Sequence, residues 1–124
     1  MRPILAIVAD ALCIAVFVII GLHTHHAGLG ATEVVRTMWP FVVGLLLGWV
    51  AVRAWKRPTA IVPAGVGAWL ATVVGGMVLR VLVGQGTAAP FIIVALVFLG
   101  VTMLGWRVVA RLIAAAGGSS ARVA

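Results

Sequence analysis

Four apolar runs, each near the length needed to cross a lipid bilayer, limit what this chain can fold into more than any other feature. At 1.5 Å rise per residue, a helix needs about 20 mostly apolar residues to span the hydrocarbon core. Ile4 to Leu22 holds one strongly polar side chain, Asp10. Met38 to Val52 holds none and reaches a full span with Thr37, Ala54 and Trp55. Ala60 to Leu79 interrupts its apolar character only at Thr72, and Ala88 to Trp106 only at Thr102. In lipid every backbone N–H and C=O must be satisfied within the protein, and 124 residues leave no room for a closed barrel, so the runs are helices. Composition agrees: with 65% hydrophobic and 9% charged residues there is too little polar side chain to cover a small water-soluble domain. The sequence therefore predicts an all-α membrane protein with four transmembrane helices, about 3–22, 37–55, 60–80 and 88–109. They form one domain over 1–113, and 114–124, with its Gly and Ser pairs, is expected to be a flexible cytoplasmic tail.

The first run follows Arg2 as a signal peptide would, but it lacks an A-x-A-like cleavage site and Asp10 breaks it, so it reads as a retained helix. One cysteine, Cys13, allows neither an intrachain disulfide nor a cysteine-based metal framework, and reads as a small buried apolar residue.

Basic residues set the orientation, because Lys and Arg of short loops stay on the cytoplasmic side. Arg2, Arg53, Lys56, Arg57, Arg107, Arg111 and Arg122 fall on one side, and Arg36 and Arg80 on the other. Both termini are expected in the cytoplasm, as in a multi-pass protein of the plasma membrane. Trp39, Trp55 and Trp106 lie at helix ends, where interfacial tryptophans anchor. The net charge of +7 reads as topology and contact with anionic membrane lipid rather than nucleic-acid binding, for which no folded soluble module exists.

Helices in lipid associate through close approach at small residues. Ala64, Ala68, Thr72 and Gly76 form one such row on helix 3, Gly67, Ala71 and Gly75 a second, and Gly44 and Gly48 a GxxxG pair on helix 2. These rows serve either the monomer's core or a seam between copies. Pro40-Phe41 with Gly48-Trp49 echoes Pro90-Phe91 with Gly105-Trp106, each proline being read as opening a helix. That echo is compatible with two parallel-repeat hairpins.

Asp10 carries the most chemical information, because an ionised carboxylate within lipid must be protonated, paired or hydrated. By helical rise it lies near the level of Trp49 and Trp69, whose indoles can donate to it, and Arg107 can extend towards it. Two readings stay open: a protonatable site, where burial favours the neutral acid and a neighbouring arginine opposes it, or an interhelical lock. On the outer side, Arg80 with His25 can clamp a phosphate or carboxylate, with Arg36 and Glu33 nearby; alternatively Arg80 pairs with Glu33. The histidines around His25 give only a weak metal signal, so no metal and no cofactor are expected. No partnered nucleophile, phosphate-cradling loop or dinucleotide fingerprint occurs, so an enzyme is not expected.

Together, Asp10, Gly21 with His25, Pro40-Phe41, Gly48-Trp49, Trp69 with Gly76 and Arg80, Pro90-Phe91 and Gly105-Trp106-Arg107 resemble a small uncharacterised membrane family of actinobacteria and haloarchaea, domain of unknown function 3054. The resemblance runs from about Ile4 to Arg107 and implies no activity, only that Asp10, His25, Arg80 and Arg107 fall on recognisable positions. Leu22 stands where the family pattern has arginine, which weakens an anion site there. A looser similarity links size, helix number, Asp10 and Gly65-Val66-Gly67 to small multidrug resistance transporters. Those work as antiparallel pairs, which the charge bias here disfavours, so the likeness is one of layout. The leading reading is binding or transport of a small or lipid-like anionic ligand, with proton coupling at Asp10, in a homo-oligomer surrounded by membrane lipids. The alternative is an accessory subunit packing on a larger membrane complex through helix 3.

Overall fold

Each apolar run becomes a helix, and the departures from the expected boundaries have local causes. The computed structural model describes residues 2–24 and 30–123. Within them lie α1 (Pro3–Thr24), α2 (Ala31–Val52), α3 (Val66–Leu82) and α4 (Ala89–Val123), and no strand occurs among the described residues. At 22 residues, α1 and α2 each measure about 33 Å, enough to cross a bilayer. The four helices are long and apolar enough to do so, with Ile61–Leu82 as the third span. Leu12, Leu47, Val74 and Val101, one from each helix, are 58–67% exposed, an outward surface that suits lipid and not water.

α2 begins at Ala31 rather than 37, since nothing before Pro40 breaks it and Glu33 sits favourably in the first turn at the positive end of the helix dipole. Pro40 is therefore inside α2, not at its start, and the echo with Pro90, the second residue of α4, fails there. Lacking an N–H, Pro40 leaves the Arg36 carbonyl without its helical donor. Gln85 Nε2 donates to that carbonyl at 3.0 Å. At the other end Arg53 stops α2 in a left-handed conformation, φ 50 and ψ 51. Pro58 and Pro63 keep the next segment from forming one regular helix: Ile61–Gly65 is a widened turn with extended backbone at Val62, and regular helix starts at Val66. α4 continues to Val123 instead of ending near 109, because Ala110 and Ala114 to Ala116 are strong helix formers and no proline follows Pro90. The expected flexible tail is thus helical as far as Val123.

α2 packs most closely on α3, α1 on α2 and α4, and α3 on α4. Glycine decides the closest of these contacts. A Cβ on Gly44 would lie 2.7 Å from the Ala71 carbonyl oxygen and 3.2 Å from the Gly76 nitrogen, and one on Gly48 would overlap the Ala71 methyl. Gly67 faces Val52 and Gly75 faces Gly44. Ala64, Ala68, Thr72 and Gly76 are buried too. Both rows are used inside the chain, chiefly against α2. The chain's four phenylalanines gather at the far end from Asp10: the Phe17 ring centroid lies 5.7 Å from those of Phe41, Phe91 and Phe98.

Candidate functional site

Helical periodicity carries the polar residues into the core. On α1, Ala6, Asp10 and Ile14 share one stripe, with Phe17 and Val18 a turn further on, and all are buried. On α4 the stripe is Ala95, Leu99, Met103 and Arg107, each 0% exposed. Trp49 ends the buried face of α2. The antiparallel course of α1 against α2 and α4 brings the three together.

Asp10 and Arg107 form a bidentate ion pair. Arg107 Nη1 donates to Asp10 Oδ1 and Nη2 to Oδ2, both at 2.7 Å. Trp49 Nε1 donates to Oδ2 and Trp106 Nε1 to Oδ1, both at 2.9 Å. Each carboxylate oxygen thus accepts one guanidinium and one indole hydrogen, which fills its lone-pair sites. The guanidinium is held in turn: Nε donates to the Pro58 carbonyl at 2.9 Å and Nη1 to the Met103 carbonyl at 3.1 Å. Its carbon lies 4.5 Å from the Trp106 ring centroid. Gly65 makes room for the stem, since a Cβ there would sit 3.0 Å from Arg107 Cδ. Among the described residues no buried side-chain polar atom lacks a partner. A proton or ligand approaching either oxygen must first displace a donor.

Sequence reasoning placed Asp10, Trp49 and Arg107 together, and the structure does so. It does not bring Trp69 to Asp10: this indole donates to the Leu96 carbonyl at 2.9 Å and its ring lies on Gly100, because it faces α4 one helix away from α1. Trp106, expected as an interfacial anchor, is the fourth partner. Its adjacency to Arg107 was the available signal. The Pro58 carbonyl, a backbone group in a loop, had none.

At the other end Arg80 does not pair with Glu33. Its Nε donates to the Gly86 carbonyl and its Nη1 to Gln85 Oε1, each at 3.0 Å, with Nη2 3.4 Å from the Gln85 carbonyl. The guanidinium carbon stands 4.6 Å from the Phe91 ring centroid. The turn at Gly84 and Gly86, both with positive φ, folds the α3–α4 connection back over Arg80 and makes these contacts possible. Glu33 and the Arg36 side chain are exposed, and Arg36 joins the group only through its carbonyl. Among the described residues the one ion pair is Asp10–Arg107. His25 lies outside the described residues, and among these no group of His, Cys, Asp or Glu is arranged to hold a metal. Gln85, the chain's single amide side chain, was missed. It links Arg80 to the gap that Pro40 leaves in α2.

Arg80 borders a crevice of about 550 Å³ whose walls are Phe17, Val18, Gly21 and Leu22 of α1, Thr37 of α2 and Pro90, Phe91 and Val94 of α4. The volume is that of a small-molecule site. Among the described residues, Arg80 and Thr37 are the polar side chains that line it.

A family model described as Protein of unknown function (DUF3054) matches residues 7–110. The chain belongs to the DUF3054 family. No curated protein and no solved structure matches it. The matched stretch of this DUF3054 chain contains Asp10, Trp49, Arg80, Gln85, Trp106 and Arg107, so both the buried pair and the crevice arginine fall within the family region.

Proposed function

We propose that this DUF3054 protein is a multi-pass protein of the plasma membrane that binds an amphiphile with an anionic headgroup in the crevice beside Arg80. One observation carries the reading: an apolar crevice has a single guanidinium at its edge, and that guanidinium has no acidic partner among the described residues. Backbone and amide oxygens orient Arg80 without neutralising it. A phosphate or carboxylate would supply the missing charge in bidentate geometry, while a hydrocarbon chain lay against Phe17 and Phe91. The exposed bases Arg2, Arg53, Lys56, Arg57 and Arg111 gather at the Asp10 end, which supports a cytoplasmic location for that end and both termini. The crevice then opens on the outer side. In this reading Asp10 and Arg107 are a structural lock, and proton coupling at Asp10 would require the four-donor cage to open. The accessory-subunit alternative would need a face other than the small-residue rows, which α2 covers.

The test is thermal unfolding of the full chain in a neutral detergent with dodecyl phosphate, dodecanol or inorganic phosphate. A ligand that prefers the native form at 100 times its dissociation constant stabilises by about 2.7 kcal/mol. Dodecyl phosphate should raise the melting temperature and the other two should not. The rise should shrink in Arg80→Gln and in Gly21→Leu, which fills the crevice from a position with no atom within 4 Å of the new Cβ. Equal stabilisation of all three proteins by dodecyl phosphate would refute the assignment.

A further inference from the structure

The α2–α3 connection carries a concentration of charge that the crevice reading does not use. The chain has only two acidic residues. Asp10 is occupied by Arg107, and Glu33 stands in the first turn of α2, at the opposite end from this connection. Arg53, Lys56 and Arg57 are exposed and have no acidic partner among the described residues. No acidic side chain of the described residues offsets them.

The stems of these three residues, with Val52, Ala54, Pro63 and Ala64, border one small, largely apolar cavity of about 200 Å³. The backbone that makes it is well defined. The Arg53 N–H donates to the Trp49 and Val50 carbonyls and closes α2. The Lys56 N–H donates to the Arg53 carbonyl at 3.0 Å, and the Ala60 N–H to the Arg57 carbonyl at 3.1 Å. Two successive tight turns thus place residues 53, 56 and 57 around the same space. Arg53 does this from the left-handed region, φ 50, where glycine is the favoured helix-ending residue. The chain has 15 glycines and uses Gly84 and Gly86 for the positive φ angles of the α3–α4 turn. Arg53 is the one non-glycine with positive φ among the described residues. Backbone ease is given up at this position, and an exposed cation on the turn is what the arginine supplies in return.

We propose that the three cations of this turn bind the phosphate of an anionic phospholipid, with the apolar cavity between their stems beside it. Arg53 and Arg57 engage phosphate oxygens through their planar N–H pairs and Lys56 adds a compact positive charge. Val62, 71% exposed beside Pro63, and Trp55, 44% exposed on the turn itself, offer surface for the glycerol and the start of the acyl chains. The lipid also bears on the core: Pro58, in the same connection, gives its carbonyl to Arg107 Nε. Holding the turn in place holds one support of the buried pair. This site is separate from the Arg80 crevice, and either can exist without the other.

The full chain, delipidated in neutral detergent, is titrated with phosphatidylglycerol, phosphatidylcholine or glycerol 3-phosphate, and binding is followed by native mass spectrometry and thermal unfolding. In the Arg80→Gln protein, whose crevice has lost its guanidinium, phosphatidylglycerol should still bind one tight site and raise the melting temperature, whereas phosphatidylcholine and glycerol 3-phosphate should do neither. Arg53→Gly should melt higher than the parent without lipid, because the strain is relieved, yet bind phosphatidylglycerol about tenfold more weakly. Arg57→Gln should lose affinity similarly, and Arg2→Gln with Arg111→Gln should keep it. Unchanged affinity in Arg53→Gly or Arg57→Gln would overturn the site. So would an equal loss in the Arg2→Gln/Arg111→Gln protein, which means diffuse charge, or equal stabilisation by glycerol 3-phosphate, which means a soluble anion. Every variant carries Arg80→Gln, so the crevice adds no phosphatidylglycerol site and failure here leaves the crevice result unaffected.

Discussion

Replacing Asp10 by asparagine is a near-isosteric change that the cage cannot accommodate. Each carboxylate oxygen accepts two hydrogens, one from Arg107 and one from an indole. Asparagine offers one oxygen and one NH₂, and in either orientation the NH₂ meets a guanidinium N–H and an indole N–H head on. Two hydrogen bonds are lost, and Arg107, 0% exposed, loses its only counter-charge. Removing one partner of a buried pair typically costs about 3–5 kcal/mol. In lipid the unfolded reference finds partners too, so the lower part of that range, about 3 kcal/mol, is expected. Asp10→Leu and Arg107→Met alone should each cost about as much. Combined, they remove both charges, an exchange that is often neutral or favourable by about 1–4 kcal/mol. Against that stand two orphaned indole donors at about 1–3 kcal/mol each. The double variant should therefore be no worse than either single one, about 3 kcal/mol or more better than additivity. Equilibrium unfolding in mixed detergent micelles, followed by tryptophan fluorescence, measures the four variants against the parent. An Asp10→Asn protein within about 1 kcal/mol of the parent, or an additive cycle, would refute the lock.

Gly48→Val should destabilise by about 1–3 kcal/mol through overlap with Ala71, whereas Gly105→Ala, with no atom within 4 Å of its new Cβ, should stabilise by about 0.5–1 kcal/mol; the same unfolding assay reads both. Trp106→Phe removes one of four donors to the carboxylate and should cost about 1.5–3 kcal/mol, while Trp39→Phe should change stability by less than about 0.5 kcal/mol. Gln85→Ala uncovers the Arg36 carbonyl and frees Arg80 Nη1, so hydrogen exchange should quicken at the start of α2 and stay unchanged near Gly48.

The number of helices was legible because apolar length is a strong signal, and the pairing of Asp10 with Arg107 because few polar residues compete inside lipid. Helix ends were harder. Pro40 suggests a start only if proline inside a helix is not rescued, and Gln85 rescues it from a distant loop. Ala110 and Ala114 to Ala116 carry α4 through a segment whose Gly and Ser pairs suggest a flexible tail. Counting rise along the axis put Trp49 and Trp69 near the level of Asp10 but could not tell which of them faces it: Trp49 donates to Asp10 and Trp69 to the Leu96 carbonyl. Trp69 points at α4, since α1 and α3 lie diagonally. Direction around a helix depends on which neighbour it packs against, and a single sequence leaves that arrangement open.

Two kinds of adhesion divide the molecule. Hydrophobic burial gives helices in lipid little reason to associate, so each needs close backbone approach or a polar contact. α2 and α3 have the first, through Gly44, Gly48, Gly67 and Gly75. α1 has no such row: its buried stripe is Ala6, Asp10, Ile14, Phe17 and Val18, mostly bulky. It is held by Asp10 at one end and by the Phe17 cluster at the other. Loss of the ion pair should then release α1 before anything else, with hydrogen exchange rising through its first half while the α2–α3 seam stays protected. Exchange rising equally in α3 would contradict that division, because the glycine seam contains no part of the polar cage.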